Sequence, residues 1–149
     1  MIEFTKGEEI FLQLMEEARI ATSHADIPHV KPVSFIYHDS TILIATDYQT
    51  RTFKNVKINP KASVAIDVYE SGKHRAVCIQ GKVEIIEEGQ EFIQMYKIFE
   101  KKIAWVRNEP WKENEAPFLK IIVTNKTSWG LKQETILKRN KINKRQNKF

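Results

Sequence analysis

Four residues in a row of five offer the clearest chemistry in this chain: Thr50, Arg51, Thr52 and Lys54. They follow the apolar run Ile42-Leu43-Ile44-Ala45, which has the length of a buried strand, and the polar stretch Thr46 to Gln49. From Thr50 onward the spacing turns helical, with Phe53, Val56 and Lys57 on one side, until Asn59-Pro60 stops it. Two hydroxyls and two cations therefore gather at a helix start. Unpaired backbone N–H groups and the helix dipole favour an anion there. A phosphorylated ligand is the expected guest. The alternative is an ordinary solvated basic helix.

No other residues form a reactive set. His24, His29, His38 and His74 are scattered, without metal-binding spacing, and carry no assigned role. No nucleophile stands beside a base, so the catalytic residues stay unassigned. The single cysteine, Cys78, lies between Val77 and Ile79 and reads as a small strand hydrophobe that forms no internal disulfide.

The elements that must hold the phosphate site can be read along the chain. Thr5-Lys6-Gly7-Glu8 has capping-box spacing, and Phe11, Leu14, Met15 and Ala18 extend a helix over about residues 6–18. RIATSH and HVKPVSFIY read as strands around an Ala25-Asp26-Ile27-Pro28 turn, and His38-Asp39-Ser40 turns into TILIAT. After the basic helix, ASVAIDVY forms a strand, Ser71-Gly72-Lys73 a turn, and His74 to Glu87 a long strand bent at Gly81. Gln90 to Arg107 has apolar residues at helical intervals, ending at Asn108-Glu109-Pro110. PFLKIIVT and TSWGL read as two final strands. Trp105, Trp111, Phe99 and Phe118 suit a dimer interface or a substrate mouth, with core packing the plainer reading. About seven short strands and few helices imply a mainly β fold, an antiparallel, Greek-key-like barrel with flanking helices.

Composition bounds the function. With 149 residues, 42% of them hydrophobic, the chain can bury one core. Residues 1–131 read as a single domain and 132–149 as a basic tail. Seven of the 24 basic residues and one of the 19 acidic residues fall in that tail, leaving 17 against 18 in the body. The net charge of +5 is thus a property of the tail, which reads as a solvated end, and a nucleic-acid partner is not expected. No apolar run is long enough to span a membrane, and cysteine usage points to the reducing cytoplasm.

The order HVKPVSFIYHDSTILIATDYQTRTFKNVKINPKASVAI, followed by VCIQGKVEII, resembles the pyridoxamine 5′-phosphate oxidase-like family of FMN-binding split β-barrels. The resemblance covers roughly residues 15–130. It implies a homodimer with FMN at its interface. Lys31, Pro32, Val33 and Ser34 would border the flavin ring, and Ala45 and Thr46 would sit beside ring or ribityl chain. Thr50, Arg51, Thr52 and Lys54 would grip the phosphate, while Trp129 would either cover the flavin from a partner subunit or, the plainer reading, close the barrel core. Thr52 stands where many members carry lysine. The C-terminal Arg and His signature of the pyridoxal-forming members has no counterpart in TSWGLKQETILKRNKINKRQNKF, so true pyridoxamine phosphate oxidase activity is not expected. The resemblance implies hydride transfer between a transient nicotinamide donor and a small-molecule substrate. A phosphorylated deazaflavin in place of FMN, or a non-catalytic flavin- or haem-binding module, are the alternatives.

Overall fold

The computed structural model describes residues 2–132, so the basic tail from 133 onward lies outside the described residues. Ten elements follow one another: α1 (Lys6–Leu14), β1 (Glu17–His24), β2 (Ile27–His38), β3 (Thr41–Ala45), α2 (Arg51–Ile58), β4 (Lys61–Glu70), β5 (Lys73–Ile86), α3 (Gly89–Lys102), α4 (Ala104–Asn108) and β6 (Phe118–Trp129). The strands close a barrel in the order β1-β2-β3-β6-β5-β4. Every pairing is antiparallel. Because β4 returns beside β1 after the β1-β2-β3 meander, the first four strands form a Greek key. No helix among the described residues is long and apolar enough to cross a membrane.

Local chemistry explains most boundaries. Thr5 and Glu8 form the expected capping box at the start of α1. The helix stops at Leu14 rather than near residue 18, because Met15 is extended and Glu17-Ala18-Arg19-Ile20 alternates exposed and buried as a strand does. Both early turns are tighter than the sequence suggested. Ala25 and Asp26 (φ 50° and 61°), like Asp39 and Ser40 (φ 47° and 60°), make two-residue turns of the primed type, whose twist suits a hairpin. Ile27 and Pro28 consequently open β2.

Two further expectations are corrected. The helix from Gln90 to Arg107 is broken at Ile103, whose extended backbone separates α3 from α4 while its side chain stays buried. Apolar periodicity survived the break because both pieces pack on the same core. The two last strands are one, so the described residues form six strands. The register of β5 on β6 shifts between Gln80 and Gly81, pairing Asn125 and then Val123, which leaves Thr124 as an extra residue on β6. The expected irregularity at Gly81 is therefore present, with the inserted residue on the partner strand.

Two cores hold the molecule. One fills the barrel, around Phe11, Ile20, Phe35, Ile44 and Ile79. The other lies outside β2, β3 and β6, where Phe92, Phe99, Ile103 and Val106 cover Ile36, Leu43 and Phe118. Being covered on both faces, β3 shows four consecutive buried residues, Thr41 to Ile44. The candidate site lies where β3 ends at Ala45, β6 begins at Phe118 and β2 passes with its Lys31–Val33 stretch.

Candidate functional site

Thr50 is the N-cap of α2, and its hydroxyl accepts the Phe53 N–H at 3.1 Å. The same hydroxyl donates to the Asp47 carbonyl at 2.9 Å, so the 3.0 Å contact with Thr46 Oγ1 has Thr46 as its donor. Thr50 is thus fully committed to building the helix start rather than free to grip a phosphate. The backbone N–H groups of Arg51 and Thr52 meet no acceptor among the described residues, as expected of a first turn. Arg51 and Lys54, three apart, both stand exposed on the outer face of α2. Thr52 does not join them. It shares the inner face with Phe53, Asn55 and Val56, is fully buried, and its Oγ1 has no hydrogen-bond partner among the described residues. The expectation that Thr52 contacts a phosphate is therefore corrected by the helical period.

Asn55 and Asn59 lock α2 onto β1. The Asn55 amide donates to Thr22 Oγ1 at 3.1 Å, and the Asn59 amide donates to Ser23. Arg51 then faces the β1–β2 turn, lining a recess with His24 and His29.

A second recess, about 330 Å³, opens on the other side of this helix start. Lys31, Pro32 and Val33 form one wall, and Ala45 and Thr46 another. The structure therefore brings five of the expected ring-lining residues together. The reason lies in strand lengths. β2 pairs with β3 only from Phe35 to His38, so the edge of Ile27 to Ser34 away from β1 has no strand partner among the described residues. That edge offers backbone donors and acceptors to a flat ligand, interrupted at Pro28 and Pro32, which have no N–H. Thr46 connects the two recesses, since it lines the larger one and bonds Thr50 at the head of α2.

Ser34 takes part indirectly. Its hydroxyl accepts from Trp105 Nε1 at 2.9 Å, fixing an indole that lines the cleft. Trp105 stacks on Trp111, with ring centroids 5.7 Å apart and planes 14° from parallel. Three carboxylates complete the lining: Asp47, Glu109 and Glu115. Both tryptophans had core packing as the plainer reading in the sequence, and the acids had no reading as ligand contacts. The acids left no periodic signal because Glu109 and Glu115 lie in the irregular segment between α4 and β6. Tyr48, beside Asp47, packs edge-on against Phe53, and burial raises its phenol pKa, aided by Glu87 and Glu88. The site is therefore bipolar, cationic at α2 and acidic around the indoles.

Trp129 lies apart. Phe118, at the start of β6, pairs with Ala45 beside the cleft, while Trp129 ends the same strand and pairs with Ala76. It is 42% exposed, packing against His74, so it is not a barrel-core residue. Within the chain it does not meet the other expected site residues.

Residues 9–129 match the family profile described as Pyridoxamine 5'-phosphate oxidase. No curated protein sequence matches the chain. Among solved structures, the fold is similar to a conserved hypothetical protein of Mycobacterium tuberculosis, at a TM-score of 0.72 and 18% identity, covering 88% of each chain. It is also similar to the FAD binding protein of Mycobacterium smegmatis, at a TM-score of 0.64 and 15% identity, covering 85% of this chain and 94% of that one. The heme storage protein HutZ of Vibrio cholerae matches at a TM-score of 0.72 and 12% identity, with 87% and 95% covered.

Proposed function

The chain belongs to the pyridoxamine 5'-phosphate oxidase family, and from that premise we propose that it is an FMN-binding flavoprotein that serves a hydride-transfer reaction. The observation that carries this reading is the juxtaposition of an unpartnered β2 edge with a helix start bearing Arg51 and Lys54. An isoalloxazine edge needs backbone donors and acceptors, and its phosphate needs cations and free N–H groups. Both are present, joined by Thr46 and Thr50. Arg51 and Lys54 would hold the phosphate with the N–H groups of Arg51 and Thr52. Lys31, Pro32, Val33, Ala45 and Thr46 would border the ring. When bound, the flavin supplies the hydride chemistry, leaving the protein to bind, orient and exclude water.

A second copy of the chain would complete the cleft. Val30 on β2 is 65% exposed beside the strand edge that lacks a partner among the described residues, and a second copy packed along that edge would cover it. Trp129 of that copy is our proposed cover for the flavin. We place the reaction between a nicotinamide donor that docks transiently and a small-molecule acceptor, in the cytoplasm, and outside pyridoxamine phosphate oxidation. A phosphorylated deazaflavin would use the same helix start, with exposed Lys57 as an added cation. Haem, which the name of the Vibrio cholerae protein brings into view, fits less well: among the described residues no histidine, cysteine or methionine lines the cleft, and His24 and His29 stand in the separate recess beside Arg51.

The test is the visible spectrum of the protein as purified, followed by an FMN titration. We expect flavin absorbance or uptake at micromolar concentration. Absence of both would overturn the reading.

A further inference from the structure

We propose that the indole and carboxylate wall of the cleft selects a planar aromatic cation as the second ligand of this site. The proposal deepens the flavin reading and rests on it for one point: with the flavin edge along β2, the opposite wall is the one left for a second ligand. Its other grounds are independent of any cofactor.

The first is shape. Trp105 and Trp111 lie nearly parallel beside the recess, and the hydrogen bond from Trp105 Nε1 to Ser34 holds the outer indole in place. Trp105 remains 39% exposed, so its ring is open to a partner. A fixed indole face attracts a cation through its ring quadrupole, more strongly than other aromatic side chains do.

The second is charge. Asp47, Glu109 and Glu115 line the cleft against a single lysine, Lys31. One Glu115 oxygen accepts the Lys112 N–H at 2.7 Å. The carboxylates of Asp47 and Glu109 have no hydrogen bond or ion pair among the described residues. Glu87 and Glu88 reinforce the same sign, acting on Tyr48 next to Asp47. Asp47, Glu109 and Glu115 are exposed, so water and salt screen them, but an anionic ring entering here still meets like charge, while a cationic one meets unpaired carboxylates beside the open indole face. The anionic part of a bipolar assembly is accommodated elsewhere, at Arg51 and Lys54. The class is thus a flat heteroaromatic with a quaternised or protonated nitrogen, rather than a carboxylate or phosphate ester.

Equilibrium dialysis at pH 8 with three ring-matched probes tests this: 1-methylquinolinium, neutral quinoline and quinoline-2-carboxylate. We expect the cation to be held about tenfold tighter than the anion, and that margin to fall at least about threefold in D47N/E109Q or in high salt. Both substitutions keep the side-chain shape, and an unchanged circular dichroism spectrum and thermal midpoint check that the fold of the double variant is intact. Equal or tighter binding of quinoline-2-carboxylate, or a cation preference unchanged in D47N/E109Q, overturns the proposal. A protein that takes up FMN but does not favour the cation keeps the flavin reading and loses this one. A protein that favours the cation but refuses FMN does the reverse.

Discussion

Arg51 and Thr52 are neighbours in sequence with opposite fates. Arg51 stands exposed at the helix start, whereas Thr52 is fully buried beneath it. A guanidinium that meets a phosphate makes a charge-assisted, often bidentate, contact worth about 2 kcal/mol or more. Arg51→Ala should therefore weaken FMN about 30-fold while leaving riboflavin nearly unaffected, read by flavin fluorescence quenching. Thr52→Val should leave FMN affinity unchanged, because the side chain faces the core and its hydroxyl has no partner to lose among the described residues. A comparable loss from both substitutions would place the phosphate elsewhere. A second residue-level prediction concerns Glu8, which is buried and paired with Lys126. Burial alone raises the pKa of this carboxyl, yet hydrogen bonds from Lys126 and the Thr5 backbone bring it below its ordinary value. A depressed folded pKa stabilises the protein above the ordinary carboxylate value, and that contribution is lost as pH falls through the folded value. Lys126→Met should cost about 2 kcal/mol at neutral pH by denaturant unfolding, and distinctly less once Glu8 is protonated in acid. An equal cost at both pH values would contradict the pairing.

Elements whose signal is local were legible in the sequence. The Thr5–Glu8 capping box, the helix start at Thr50, the stop at Asn59-Pro60 and the irregularity at Gly81 each rest on a few adjacent residues. Elements decided by tertiary packing were not. Ile103 continues a helical apolar period through a backbone break, and the polar second half of β6 hides the fact that one strand runs from Phe118 to Trp129. The site shows the same division. Cations at a helix start announce themselves, but the indole wall exists only because α4 docks onto β2 through Trp105 and Ser34, and Trp111 just after it stacks on Trp105. Gly81 tests the β5–β6 junction at this scale. A Cβ there would lie 2.8 Å from Ile121 Cγ2 and closer still to the Ile122 carbonyl. Gly81→Ala should cost about 2–3 kcal/mol, because the nearest obstacle is ladder backbone that cannot rotate away. A thermal midpoint equal to wild type would show that the bulge at Thr124 absorbs the methyl.

The whole molecule separates its charges. Cations at α2 occupy one end of the site, carboxylates the other, and the excess of basic residues in the sequence sits after residue 131. Arg51 and Lys54 therefore act locally and not as part of a basic surface. The proposed second copy would bury Val30, so Val30→Glu should convert a dimer to a monomer by light scattering and lower FMN affinity with it. A wild-type monomer that binds FMN tightly would remove the partner from the account. The central claim is that the head of α2 holds the phosphate of a flavin whose ring lies along β2. The ratio of riboflavin to FMN dissociation constants tests it most directly, measured side by side on wild type and Arg51→Ala. The account predicts FMN at least about tenfold tighter in wild type, with the advantage largely lost in the variant. Equal affinities for the two flavins in wild type would contradict it.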